Sequence, residues 1–314
     1  MCVWRKKKLN NKKMQLAATP YLLWMVIFVI VPLALIVVFA FTTTVKVDAN
    51  GNRLDDEAIA ALTEEYAGRG EEPPISEKTV FTLENILSVS KYTPTLLNSI
   101  WLAVIATVIC LLIGYPLAYI ISRTNYSRQK IMIMLVMLPM WMNFLLRTYA
   151  WMTLLERNGL INKFFGLFGI GPFEMINTSG AVVLGMVYNY LPFMILPLYS
   201  IMTKIEKHTI EAAQDLGANA FQVLMRVVVP LSVPGIASGI TMVFVPSVST
   251  FIISRMLGGG TNMLIGDLID LQFLGNAYNP NLGAAMSLVL MVFIFLCMSI
   301  TNQIDNEEME GGLI

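Results

Sequence analysis

Asp267 and Asp270 stand three residues apart in IGDLIDLQF, residues 265–273, a stretch with no other charge. On a helix, that spacing places both carboxylates on one side. They are suited to meeting a cation; capping a helix or facing solvent in a loop is the alternative. Tyr188 and Tyr190 flank Asn189 in an apolar run, and Trp141 lies in another. Aromatic faces attract cations by about 0.5–2 kcal/mol each, so these rings either line a path for a cation or serve helix packing. Arg147 is the one charge between Ile131 and Leu155. A charge in such a run costs a few kcal/mol unless it is paired or wet. Because a cation would repel a cationic ligand, Arg147 is expected to be structural, paired with a carboxylate or with backbone carbonyls.

Signatures of bond-making chemistry are missing. His208 is the only histidine, and there is no H-E-x-x-H, no Cys/His cluster and no G-x-S-x-G elbow. Cys2, Cys110 and Cys297 are far apart, so neither a disulfide framework nor a metal site follows. Gly258-Gly259-Gly260 lacks the Lys-Ser/Thr of a phosphate-binding loop. If ATP is used, another chain binds it.

The elements that must position these residues are set by composition. Of 314 residues, 56% are hydrophobic and 13% charged, against about 25% charged in soluble domains. Mean hydropathy is +0.67, which excludes a secreted enzyme and a nucleic-acid binder. Stretches long enough to cross a bilayer run roughly over 21–41, 97–121, 131–155, 181–202, 234–254 and 282–300. With no ten-residue alternation of barrel strands, all six are read as helices, giving an all-α polytopic membrane protein. Basic residues cluster at Arg5–Lys13, at Arg123, Arg128 and Lys130, and at Lys204, Lys207 and Arg226. Cationic flanks stay in the cytoplasm, so both termini are expected inside. The expected organisation is a basic N-terminus (1–20), a first span (21–44), an outer acidic insertion (45–95), a five-helix core (96–302) and an acidic tail (303–314). The insertion is read as loop with one short helix at Ala58–Tyr66 and a break at Glu71-Glu72-Pro73-Pro74; it is either a solvated loop or a surface that docks a partner or gathers cations.

The segment 203–233 has a different character. Residues up to Leu216 read as an amphipathic helix in which Lys207 and Glu211 pair at i,i+4. Gly217 suits a left-handed stop, and Asn219 suits the N-cap of a second helix, Ala220–Val229. Ala212, Ala213 and Ala218 give the hairpin a low profile, while Glu211 and Asp215 add charge, a shape fitted to another protein's groove. An interfacial helical hairpin is the plainer alternative.

Glu211-Ala212-Ala213, three residues, Gly217, nine residues, then Val227-Val228-Val229-Pro230 resembles the EAA-x3-G-x9-I-x-L-P signature of ABC importer permeases, with Val for Ile and Leu. Residues 138–155, 158–162, 191–200 and 259–273 are similar to permeases of the spermidine/putrescine type, and the longer 45–95 segment departs from them. The resemblance implies a type I importer fold in a bacterial cytoplasmic membrane, with Glu211, Ala212, Ala213, Asp215 and Gly217 coupling to an ATPase. It also implies partners: two ATPase subunits holding ATP and Mg, a second homologous permease, and an extracytoplasmic polyamine-binding protein. Importers of other small cationic or organic solutes share the coupling signature. An ion channel or a membrane enzyme would need a selectivity filter or a catalytic dyad in the spans, and the sequence has neither.

Overall fold

The structure is a computed structural model that describes residues 19–48, 52–67, 74–260, 262–275 and 278–311. The basic residues from Arg5 to Lys13 lie outside these, as do Glu71, Glu72 and Pro73 and the side chains of the acidic tail. The chain divides into two compact units, Met1–Ser90 with Asn279–Val289 and Lys91–Tyr278 with Leu290–Ile314.

In the first unit, helix α1 (Thr19–Ala40) is apolar along its length, and none of its own residues before Ala40 is buried. Such a surface is at home in lipid, which is as apolar as its side chains. Strand β1 (Thr42–Val47) follows at once, then helix α2 (Asp56–Ala67), strand β2 (Ser76–Phe81) and helix α3 (Glu84–Val89). The strands pair antiparallel, Thr42 opposite Phe81 and Val47 opposite Ser76. The spans are helical as expected; the strand pair is an addition to the 45–95 segment, read from sequence as a loop with one short helix. Thr42-Thr43-Thr44-Val45 and Thr79-Val80-Phe81 are β-branched and aromatic, residues that fit a pleated strand better than a helix. Buried Asn85 closes the hairpin's base, donating to the Thr42 carbonyl at 2.8 Å and accepting from the Thr43 hydroxyl at 3.2 Å.

In the second unit the elements are α4 (Thr93–Arg123), α5 (Tyr126–Trp141), α6 (Phe144–Leu155), α7 (Leu160–Gly166), α8 (Ser179–Met202), α9 (Lys207–Asp215), α10 (Ala220–Leu231), α11 (Val233–Val248), α12 (Ile252–Leu257), α13 (Ile265–Leu274) and the later part of α14 (Pro280–Gly311). Helices α4, α8 and α11 pack mutually and form its centre. Gly235 and Gly239, four residues apart on α11, face Ile201 and Met194 of α8, and a β-carbon on Gly239 would fall 2.7 Å from the Met194 sulfur. Small residues at this spacing let helices approach without a hydrophobic driving force from water.

Among the described residues, four helices are long and apolar enough to cross a membrane, or up to six if each of two bent pairs counts as one span. The 131–155 stretch is not a single helix: α5 and the segment Phe144–Gly166 meet at 89°. Pro139 lies in the last turn of α5, and the Asn143 side chain accepts the Leu145 and Leu146 N–H groups, so a new helix starts where the hydropathy is unbroken. The second bent pair is α10 with α11, at 71°.

Candidate functional site

Three places in the second unit hold most of the residues singled out by sequence. The first is the hairpin of α9 and α10. Gly217 has φ +86°; its N–H donates to the Gln214 carbonyl at 2.8 Å, and the Ala218 N–H to the Ala213 carbonyl at 3.1 Å. This pair of bonds is the Schellman closure of a helix end. Two residues on, the Asn219 side chain accepts the Gln222 N–H at 2.8 Å, while the Gln222 side chain accepts the Asn219 N–H at 2.9 Å. A stop and a start back to back fix the angle between the helices. Glu211, Ala212, Asp215 and Gly217 are exposed and Ala213 is half-buried. Leu216 and Phe221 are 89% and 68% exposed at the hairpin's tip, an apolar crown between charges. Glu211 pairs with His208 at 3.3 Å, and not with Lys207 as the i,i+4 spacing suggests.

Beyond its first turn α10 passes through a π-helical segment, Leu224–Val228, and ends at the 71° bend into α11. Ser232, wholly buried at that bend, shares a 2.8 Å hydrogen bond with the Tyr115 hydroxyl of α4 and donates to the Val229 carbonyl at 3.1 Å. The hairpin is thereby tied to the centre of the bundle by polar atoms that have few alternatives in an apolar interior.

The second place is a groove of about 920 Å³ between α4 and α8, lined by Trp101, Ile105, Ile109, Trp151, Val187 and Tyr188, with Asn98 and Ser179 as polar members. Trp151 meets Tyr188 edge to face, ring centroids 5.3 Å apart.

The third joins α12 to α13. Asp267 is 2% exposed, and its Oδ2 accepts the Leu264 N–H at 2.8 Å, so one oxygen caps α13. Among the described residues its Oδ1 has no hydrogen-bond partner, and it lies 3.9 Å from Arg255 Nε. Arg255 Nη2 donates to Asp270 Oδ2 at 2.5 Å. Burial pushes the Asp267 carboxyl above the usual carboxylate range, against the lowering pull of the nearby Ser254 hydroxyl, the Leu264 N–H and the Arg255 charge. The Ser99 hydroxyl of α4 accepts the Ile265 N–H at 2.8 Å and anchors the start of α13. Among the described residues, no group of His, Cys, Asp and Glu has the makings of a metal centre.

The family described as binding-protein-dependent transport system inner membrane component matches residues 78–307. The chain belongs to that family. Such permeases are transport subunits that work with a separate ATPase and a periplasmic binding protein. The permease is 35% identical to the spermidine/putrescine transport system permease protein PotB of Haemophilus influenzae over 97% of this chain and 99% of that one. It is 38% identical to PotB of Escherichia coli K12 over 70% of this chain and 82% of that one. Among solved structures, a bacterial ABC transporter involved in import of the acidic polysaccharide alginate superposes with a TM-score of 0.65 at 15% identity, covering 95% of this chain and 96% of that chain. The MetNI methionine ABC transporter gives 0.52 at 17% identity, over 68% and 94%. These two likenesses concern the fold, and a fold that serves an acidic polysaccharide leaves the charge of a substrate to side chains.

In the permease, Asp267 and Asp270 do come together, on Arg255, a residue the sequence reading passed over at the end of its fifth span. The aromatic group does not assemble. Trp141 is 73% exposed at the end of α5. Tyr188 faces the groove, whereas the Tyr190 hydroxyl reaches the Pro246 carbonyl of α11 at 3.4 Å. Neighbours two apart on a helix point about 200° apart, so within this chain the two tyrosines face different neighbours. Trp151 is the ring that joins Tyr188. Arg147 is 8% exposed, sits 5.9 Å from the Phe144 ring, and leaves Nε and Nη1 without hydrogen-bond partners. Among the described residues no carboxylate lies within ion-pair distance of it, which sets aside the carboxylate half of the expected pairing; Asp267 and Asp270 are engaged by Arg255.

Proposed function

We propose that the chain is the membrane-spanning permease of a polyamine importer, moving putrescine or spermidine by alternating access driven by ATP hydrolysis on two partner subunits. The observation that carries this reading is the near end-to-end likeness to the Haemophilus influenzae PotB, including the segment 45–95 that the sequence reading set apart. A second permease completes the path, an extracytoplasmic polyamine-binding protein delivers substrate, and ATP with Mg is held by the ATPases. Glu211, Ala212, Ala213, Asp215 and Gly217 form the coupling surface; the exposed crown of Leu216 and Phe221 adds apolar contact. Within the path, Asp270 meets an ammonium group, and Tyr188 with Trp151 offers ring faces to the methylenes and charges between. Asp267 supports Asp270 from behind by capping α13. Weak contacts suffice, since ATP supplies the uphill work and tight sites would slow release.

Proteoliposomes holding the whole complex are expected to take up radiolabelled putrescine and spermidine only with ATP inside the vesicles and binding protein on the opposite side. Uptake of an uncharged sugar in place of either amine would overturn the substrate class.

The hairpin of α9 and α10 and both termini are assigned to the cytoplasm, with β1, α2 and β2 outside. A single cysteine at Glu64 in a cysteine-free background should react with an impermeant maleimide in intact spheroplasts. Reaction only after the membrane is opened would invert the topology.

A further inference from the structure

We propose that Arg255 is a tethered stand-in for the substrate's ammonium, occupying Asp270 while the path is empty and yielding that carboxylate to an incoming amine. This role rests on the polyamine reading above. Four observations lead to it. Arg255 spans both carboxylates, Nη2 on Asp270 Oδ2 and Nε 3.9 Å from Asp267 Oδ1. The two carboxylates are not equivalent: the Asp267 side chain is 3% exposed and fixed as a cap, whereas the Asp270 side chain is 19% exposed. Arg255 itself has 48% of its side chain exposed, so neighbouring groups of this chain do not lock its guanidinium in place. Finally, the sequence between α12 and α14 contains no other Lys or Arg to take its place.

Exchange of a guanidinium for an alkylammonium conserves charge at Asp270: one cationic N–H donor leaves and another arrives. A half-exposed ion pair is weak enough to be opened by a competing cation. When the amine moves on, Arg255 returns and the carboxylate is not left bare in a poorly solvated place, where an unpaired charge is costly.

The rival explanation makes Arg255 a clip holding α12 to α13, and the two differ in sign. Equilibrium binding of spermidine and putrescine to the purified complex, binding protein omitted, is the measurement. Arg255→Gln removes the competitor and should tighten spermidine binding, while Asp270→Asn should weaken it, each by about 2- to 5-fold, the size expected for a part-exposed pair. The unfolding temperature of the complex, which loss of a clip would lower, should be little changed by Arg255→Gln. Shifts of the same sign in both variants, or weakened binding by Arg255→Gln with a lower unfolding temperature, would leave only the clip. Failure of the wild-type complex to bind either polyamine, or wild-type binding with same-sign shifts, would overturn Arg255's role alone, whereas absence of ATP-driven polyamine uptake in proteoliposomes would overturn it and the polyamine reading together.

Discussion

Gly217→Pro is expected to abolish substrate-stimulated ATP hydrolysis by the assembled complex while leaving the permease in the membrane. Gly217 holds φ +86°, and its N–H donates to the Gln214 carbonyl. Proline fixes φ near −65° and has no N–H, so the chain would leave α9 in another direction and one carbonyl would lose its partner. The hairpin's tip, with Leu216 and Phe221, would no longer stand where Glu211 and Ala212 present their face. A graded series separates geometry from bulk. A β-carbon at Gly217 would meet nothing within 4 Å, so alanine brings only the strain of a left-handed backbone, about 1–2 kcal/mol. Asparagine tolerates that conformation better. Coupled activity should therefore fall in the order Gly, Asn, Ala, Pro, with Pro at background. Glu211→Arg leaves the backbone intact and reverses one exposed charge; it should weaken ATPase docking in a salt-dependent way. Wild-type transport by Gly217→Pro and Glu211→Arg would remove 211–217 from the coupling role.

What the sequence made legible was local. The stop at Gly217 and the cap at Asn219 were readable because each depends on a residue type within a few positions of its partners, Gln214 and Gln222. The pairing of Glu211 with His208 in preference to Lys207 was not, since both lie within reach on a helix surface and rotamers decide between them. Hydropathy windows found the apolar stretches but smoothed over Pro139 and Asn143, whose local chemistry ends one helix and begins another inside a continuous apolar run. The β1–β2 pair was missed because its strands are separated by a long acidic segment, although the cluster of threonines at 42–44 was in plain view. The Arg255 cluster shows the remaining limit: fifteen residues separate Arg255 from Asp270, and no periodicity links them. Only the fold of α12 back onto α13 does.

The second large effect is expected at Gly266, which sits between the anchored Ile265 and the capping Asp267. A β-carbon there would fall 2.5 Å from the Thr250 carbonyl oxygen, 2.7 Å from that of Ser249 and 3.0 Å from the Thr250 carbonyl carbon. All three are backbone atoms at the junction of α11 with α12, so no rotamer change relieves the clash. Gly266→Ala must push α13 away from that junction. Overpacking of this kind costs about 1–3 kcal/mol. Displacement would also stretch the bonds from Ile265 N–H to Ser99 and from Leu264 N–H to Asp267, each contributing about 0.5–1.5 kcal/mol. Since Asp270 rides on α13, the Arg255 pair should loosen as well. The expected outcome is a lower unfolding temperature in detergent and loss of most uptake. Ser99→Ala, which removes a single acceptor, should show a fraction of the effect. Gly166, at the end of α7, provides the control: a β-carbon there meets nothing within 4 Å, and alanine is the better helix former by up to about 1 kcal/mol, so Gly166→Ala should be neutral or mildly stabilising. If Gly266→Ala behaves like Gly166→Ala, then α13 is not seated on the α11–α12 junction as described, and the placement of Asp267 and Asp270 beside Arg255 falls with it.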